Sequence, residues 1–271
     1  MVGLLGSDFG GGGVSQPAFP IYQALTQSRE KQFASFEKQP VIQREAAYFL
    51  DKAKKVTTVE EFLDDRRLLS VALSAFGLED EINYLGRIKK VLTEFTEDED
   101  SLVNKLIDPR YKEIAEKFQF DVLGTFNLGL TSFLNEIVDK YKTNEFEKFL
   151  GDQNPALREV EYFRRNVGKV ENTFNILGDK VLREVVTFGL QLPQEIVLQS
   201  IDKQKALIDK RVDIEDFKDP EFVDKFIKKY LILKDAQASQ EGFAFGAGST
   251  VKNAFAVTLL QGAGGGLNLL A

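Results

Sequence analysis

The sequence predicts an all-α protein: two tandem copies of a multi-helix unit joined by a long helix, with Gly-rich apolar segments on either side. Three observations lead there. Apolar residues recur at helical spacing through the charged middle of the chain, as where Leu68, Val71, Ala72, Ala75 and Phe76 line one face. Pro40, Pro109, Pro155, Pro193 and Pro220 stand where helices can start, because proline lacks an N–H that a first turn leaves unpaired anyway. The middle of the chain also matches itself, in order, over two stretches.

Taken in order, residues 1–38 read as a Gly-rich segment and a first helix. Residues 39–120 form the first repeat. Within it Ile82, Leu85, Leu92 and Phe95 read as a further apolar stripe, and the acidic run Glu97-Asp98-Glu99-Asp100 reads as the opening of a helix that ends near Ile107. Residues 121–152 are the connecting helix, with Leu130, Phe133, Leu134, Ile137, Val138 and Tyr141 on one face. Residues 153–234 are the second repeat. Arg44-Glu45-Ala46-Ala47-Tyr48-Phe49 matches Arg158-Glu159-Val160-Glu161-Tyr162-Phe163, and Asp65-Arg66 matches Asp179-Lys180. Ala75-Phe76-Gly77-Leu78 aligns with Thr187-Phe188-Gly189-Leu190, and Asp108-Pro109 with Asp219-Pro220. Tyr48 and Tyr162 are therefore expected at equivalent buried positions, as are Phe76 and Phe188. Residues 235–271 are a Gly-rich apolar segment.

Composition narrows the function. The 271 residues carry a net charge of −7 and a pI near 5.0. That balance opposes nucleic-acid binding, which needs a basic stripe against the phosphates, and opposes a polybasic membrane contact. There is no Cys and no His, which removes disulfides, thiolate nucleophiles, Cys/His zinc sites, Ser-His-Asp chemistry and a histidine switch. No apolar run approaches the roughly 20 residues of a membrane span. The first residues, Met1-Val2-Gly3-Leu4-Leu5-Gly6-Ser7-Asp8, lack the basic and apolar regions of a cleavable signal peptide.

No motif points to catalysis, a cofactor or a metal. Asp108-Pro109 and Asp219-Pro220 have the chemistry of an N-cap followed by proline at the first helical position. Asp64-Asp65-Arg66-Arg67 reads as another capped start. The acidic run lacks the order of a calcium loop. Gly10-Gly11-Gly12-Gly13 and Gly264-Gly265-Gly266 are not followed by the Lys-Ser/Thr of a phosphate loop. The distinctive feature is the contrast between middle and flanks. Residues 1–28 carry one charge, Asp8, and residues 242–271 carry one, Lys252, yet these two stretches hold 13 of the 21 glycines. Both also carry large apolar side chains, unlike a solvating tail.

The stretch from Gln39 to Asp121 resembles an uncharacterised bacterial family, domain of unknown function 1217. The resemblance rests on Gln39-Pro40, Arg44-Glu45 with Tyr48-Phe49, Val59-Glu60-Glu61-Phe62-Leu63-Asp64-Asp65, Ala75-Phe76-Gly77-Leu78-Glu79, Asn104-Lys105-Leu106 and Asp108-Pro109-Arg110-Tyr111, and it continues through the second copy. It implies a helical fold and a flagellar connection, since such proteins occur mainly in alphaproteobacteria with genes often among flagellar genes. It brings no catalytic residues.

The expectation is a non-enzymatic structural component of a bacterial flagellum or related surface filament. It would be located there or extracellularly, without a cleaved signal. Its partners would be further copies of itself and other flagellar axial proteins. Phe9, Phe19, Phe243, Phe245, Phe255, Leu259 and Leu260 are the expected assembly contacts, with residues 1–28 and 242–271 ordered only against neighbouring chains. The alternative is a cytoplasmic flagellar assembly factor or export chaperone that binds partners in an apolar groove between the repeats.

Overall fold

Helix starts follow the proline and acidic residues read from the sequence. The computed structural model describes residues 16–245. Along them run α1 (Ala18–Phe36), α2 (Pro40–Lys52), α3 (Val59–Asp64), α4 (Arg66–Ala75), α5 (Leu85–Thr93), α6 (Leu102–Lys105) and α7 (Pro109–Phe118). Then come α8 (Phe120–Leu123), α9 (Thr131–Gln153), α10 (Pro155–Asn166), α11 (Thr173–Gly178), α12 (Lys180–Gly189), α13 (Ile201–Asp209) and α14 (Pro220–Phe245). Short 3-10 turns intervene, and there is no strand among the described residues, so the protein is all-α. Asp108 accepts from the Arg110 N–H and Asp219 from the Glu221 N–H, each ahead of a helix that begins on proline. These bonds satisfy donors that the helix itself leaves free. Pro193 instead precedes a 3-10 turn, Gln194–Leu198.

The two halves use the same local devices at the same spacing. Asp65 caps α4 by accepting from the Arg67 and Leu68 N–H groups, and its other oxygen accepts the Tyr48 hydroxyl at 2.8 Å. Asp179 caps α12 through Val181 and Leu182 and accepts the Tyr162 hydroxyl at 2.6 Å. Both tyrosines are half-buried, not buried as the sequence led us to expect. α4 and α12 then end alike: the Leu78 N–H bonds to Leu73 O and the Leu192 N–H to Thr187 O, both at 2.9 Å. Each closure needs a left-handed residue, Gly77 (φ 69°) in one half and Gln191 (φ 53°) in the other.

That shared cap corrects the sequence pairing of Phe76 with Phe188. By helix end, the counterpart of Phe76 is Leu190: both are C-cap residues and both are buried. Phe188 lies two residues earlier, half-buried, with Lys234 Nζ 4.5 Å from its ring centroid. Gly189 does not repeat the turn role of Gly77. It is the last residue of α12, where a Cβ would come within 2.7 Å of two Phe226 ring atoms, so it serves close helix approach.

Two further expectations are corrected. The stripe Ile82, Leu85, Leu92, Phe95 does not form one face. Ile82 belongs to a separate 3-10 turn, Leu85 and Phe95 are exposed, and α5 buries Ile88, Val91 and Leu92. The acidic run opens no helix; Asp98 Oδ1 takes the Asp100 N–H in a local turn, and the single-turn α6 starts only at Leu102.

The core is aromatic-rich and centred on α9, which packs on α2, α4 and α10. Its expected stripe is buried apart from Leu130, and so are the residues read on α4. Phe118 meets Phe62, Phe120 and Phe133 with ring centroids 5.1–5.5 Å apart, and Phe217 meets Phe163 and Phe226 at 5.4–5.6 Å. Tilted and edge-on rings of this kind add specificity to burial. α1 joins this core: Ala18, Tyr22 and Leu25 are buried, and Phe33 meets Phe146 of α9 edge-on while Phe36 meets it tilted. Residues 18–28 therefore form structure against their own chain, contrary to the expectation that they order only against neighbours. The helical body also extends past residue 234 to Phe245 in α14.

Candidate functional site

Of the expected assembly contacts, Phe19 is placed within the chain's own fold. It is half-buried against the core, and its N–H donates to Asp235 of α14 at 2.9 Å. Phe243 and Phe245 lie in the last turn of α14. Phe9, Phe255, Leu259 and Leu260 lie outside the described residues.

A cleft of about 590 Å³ is walled by both halves. The turn after α4 supplies Gly77 and Glu79, the start of α7 supplies Asp108 and Arg110, and α10 supplies Arg158, Glu159 and Tyr162. α9 forms the floor through Asn144 and Lys148. The left-handed turn at Gly77 aims its carbonyl at the Arg110 guanidinium, which donates to it through Nη1 while Nη2 pairs with Asp108 at 2.6 Å. Burial pushes the Asp108 carboxyl up, but the Arg110 guanidinium outweighs it and holds the group below the usual aspartate range. Arg158 reaches across the cleft to Glu79 at 2.6 Å, and Asn144 donates to the other Glu79 oxygen at 3.4 Å. Tyr230 donates to Glu159, and burial together with that carboxylate raises the phenol well above its ordinary pKa.

This chemistry is that of a fastening. The carboxylates Glu79, Asp108 and Glu159 are each occupied by a neighbour, so none is placed as a general base toward an open hydroxyl or amine. Among the described residues there is no group of three or more Asp or Glu that would hold a metal ion. No described helix is long and apolar enough to cross a membrane.

Sequence reading missed a second polar feature, two carboxylates sunk in the helix packing. Glu147 of α9 and Glu161 of α10 are each only 1% exposed. Arg165 pairs with Glu147 at 2.8 Å, and Arg29 of α1 pairs with Glu161 at 2.5 Å. Burial raises the Glu161 pKa, and the Arg29 charge only partly opposes it. The available signal was positional: Glu161 follows Leu157 and Val160 on the apolar face of α10.

A family model described as "Protein of unknown function (DUF1217)" matches residues 75–223, more than half of the chain. The earlier residues on which the resemblance was first read, Gln39 to Asp65, precede that span. The X-ray crystal structure of protein AGR_C_984 from Agrobacterium tumefaciens is similar at 31% identity with a TM-score of 0.71, covering 84% of this chain and 98% of that one. No curated protein matches.

Proposed function

The chain belongs to the DUF1217 family of proteins of unknown function, and from that premise we propose that it is a structural component of a bacterial flagellum or related surface filament. It assembles with further copies of itself, or with other axial proteins, through its uncharged Gly-rich flanks. The flagellar setting rests on the family resemblance. The assembly role rests on one observation: residues 1–17 and 242–271 carry a single charge each, Asp8 and Lys252, while all the other charged residues of the chain lie between. Large apolar residues in such flanks invite burial against another surface, worth about 25 cal/mol per Å² of apolar area removed from water. Glycine permits close backbone approach there.

The same reading treats the matched capping, tyrosine and helix-end geometry of the two halves as the outcome of duplication of one unit. It sets aside the assembly-factor alternative, which calls for an apolar groove between the halves. The cleft at that position carries the ion pairs Arg110–Asp108 and Arg158–Glu79 among its lining residues, which favours the structural reading.

Electron microscopy of the purified chain is the test. Filaments or discrete oligomers are expected, and removal of residues 246–271 is expected to abolish them while circular dichroism stays helical. A chain that remains monomeric at high concentration, or a truncated one that assembles as before, overturns the reading.

A further inference from the structure

Large apolar side chains gather on the surface where the end of α5, α8 and the 3-10 turn Phe126–Gly129 come together. The single-turn α8 is bracketed by two left-handed residues, Gln119 (φ 51°) and Gly124 (φ 53°). It buries Phe120 and leaves Val122 and Leu123 exposed. The turn that follows buries Leu128 and leaves Phe126 exposed, with Leu130 exposed at its end. Phe95, just past α5, joins them. The Thr96 N–H donates to Asp121 Oδ2 at 3.0 Å, which draws the chain at Phe95 against the start of α8. Phe126 is 65% exposed and Phe95 62%, whereas Phe62, Phe118, Phe120 and Phe133 of the core beneath are buried.

The acidic run borders this surface as a fixed rim. The Asn104 side chain donates to the carbonyls of Thr96 and Asp98, at 2.8 Å each, and the Leu102 N–H donates to Glu94 at 2.7 Å. These bonds hold the segment in place with Glu97, Asp98, Glu99 and Asp100 exposed. Lys90 pairs with Glu94 and Lys105 with Asp100, so these neighbouring lysines already have acidic partners. Glu97 and Glu99 enter no ion pair among the described residues. Carboxylates left without a counter-charge beside exposed aromatic rings attract cationic groups and repel anionic ones within about a Debye length.

We propose that this surface docks a basic amphipathic helix of another protein. The apolar face of that helix covers Phe95, Val122, Leu123, Phe126 and Leu130, while its lysines or arginines face Glu97 and Glu99. Charge complementarity selects the occupant. A second copy of this chain carries a net charge of −7 and brings like charge to the rim, and an anionic lipid surface is repelled by the same carboxylates. The fold selects the helix. There is no strand among the described residues, so no sheet edge is offered there for a partner to extend, and packing of side chains onto an apolar face is the mode left. The inference goes beyond the assembly reading and does not rest on it, since every residue it uses lies in the helical body.

The experiment titrates the full chain into a fluorescently labelled synthetic peptide of leucine and lysine, patterned with its leucines on one helical face, and reads anisotropy. Two control peptides are a scrambled sequence of the same composition and a leucine–glutamate peptide of the same pattern. The patterned leucine–lysine peptide is expected to bind about tenfold or more tighter than either control. Replacing both exposed rings, Phe95→Ser with Phe126→Ser, is expected to weaken it about tenfold at unchanged circular dichroism. Glu97→Gln with Glu99→Gln is expected to weaken it and to flatten its dependence on salt. Should the phenylalanine pair lose helix content, Val122→Ser, also exposed, takes its place. No binding, equal binding of either control, or affinity unchanged in these variants overturns the proposal. So does a phenylalanine variant that loses self-assembly in electron microscopy, which assigns the surface to a second copy and leaves the assembly reading standing. Loss of assembly on removing residues 246–271, with peptide binding by the full chain as expected, supports both readings separately.

Discussion

At the residue scale, capping aspartates and left-handed glutamines make opposite predictions. Asp108→Ala and Asp219→Ala should each cost about 0.5–2 kcal/mol, read from urea unfolding. Asp108 should lie at the upper end because it also holds Arg110, whereas Asp219 is exposed. Gln119 (φ 51°) and Gln191 (φ 53°) occupy backbone conformations that favour glycine. Gln119→Gly and Gln191→Gly should therefore each stabilise the protein by about 1 kcal/mol; unchanged or lowered unfolding midpoints would refute the strain argument. The caps were legible in the sequence because Asp-Pro is a local signal. The left-handed glutamines were not, because nothing in a glutamine's neighbours demands that conformation. Gln191 takes it because the chain must turn to close α12 through Leu192.

At the element scale, helix contacts set the sensitivity of small changes. Gly189→Ala should destabilise by about 1–3 kcal/mol, since the added methyl meets the Phe226 ring in the α12–α14 contact. Gly86→Ala is the control: a Cβ at Gly86 in α5 meets nothing within 4 Å, so the gain in helix propensity should stabilise by about 0.5–1 kcal/mol. α1 is fastened to α10 by Arg29. Removing that guanidinium with Arg29→Ala leaves Glu161 buried without its partner and should cost about 3 kcal/mol. A loss no larger than that of an exposed surface pair would show that Glu161 finds another partner. Helix identities were readable from periodicity. The α1–α14 and α1–α10 pairings were not, since they join residues more than a hundred positions apart.

At the scale of the whole molecule, stability depends on pH through opposing carboxylates. Burial raises the folded pKa of Glu161. Its contribution is fully present below its unfolded pKa and is lost as pH rises through the raised folded value. Asp108 and Asp209 are lowered in the folded chain: burial pushes each up, but hydrogen bonds from Arg110, and from Lys205 and Thr173, outweigh it. Their contributions are present above their unfolded pKa and are lost as pH falls through the folded values. The Asp terms are common to wild type and Glu161→Gln, so they cancel in the difference. The stability of wild type minus that of Glu161→Gln should thus become more favourable as pH falls from about 7 to about 4. A difference that stays flat would mean Glu161 keeps its charge at ordinary cost.

The sequence by itself determined that the protein is helical, where most helices start, which faces of α4 and α9 are apolar, and that residues with almost no charge flank a charged body. Each of these is a local property: a cap, a period of about 3.6, or a composition. The tertiary structure alone decided that α1 belongs to the body, capped by Asp235, and that the Arg158–Glu79 ion pair reaches across the cleft between the halves. It also decided that Phe76 and Leu190 take the same C-cap position, at the ends of α4 and α12. The physical reason is the same in each case. The groups that meet are far apart in the chain, and their pairing follows from helices packing around α9, which leaves no mark in any short stretch of residues.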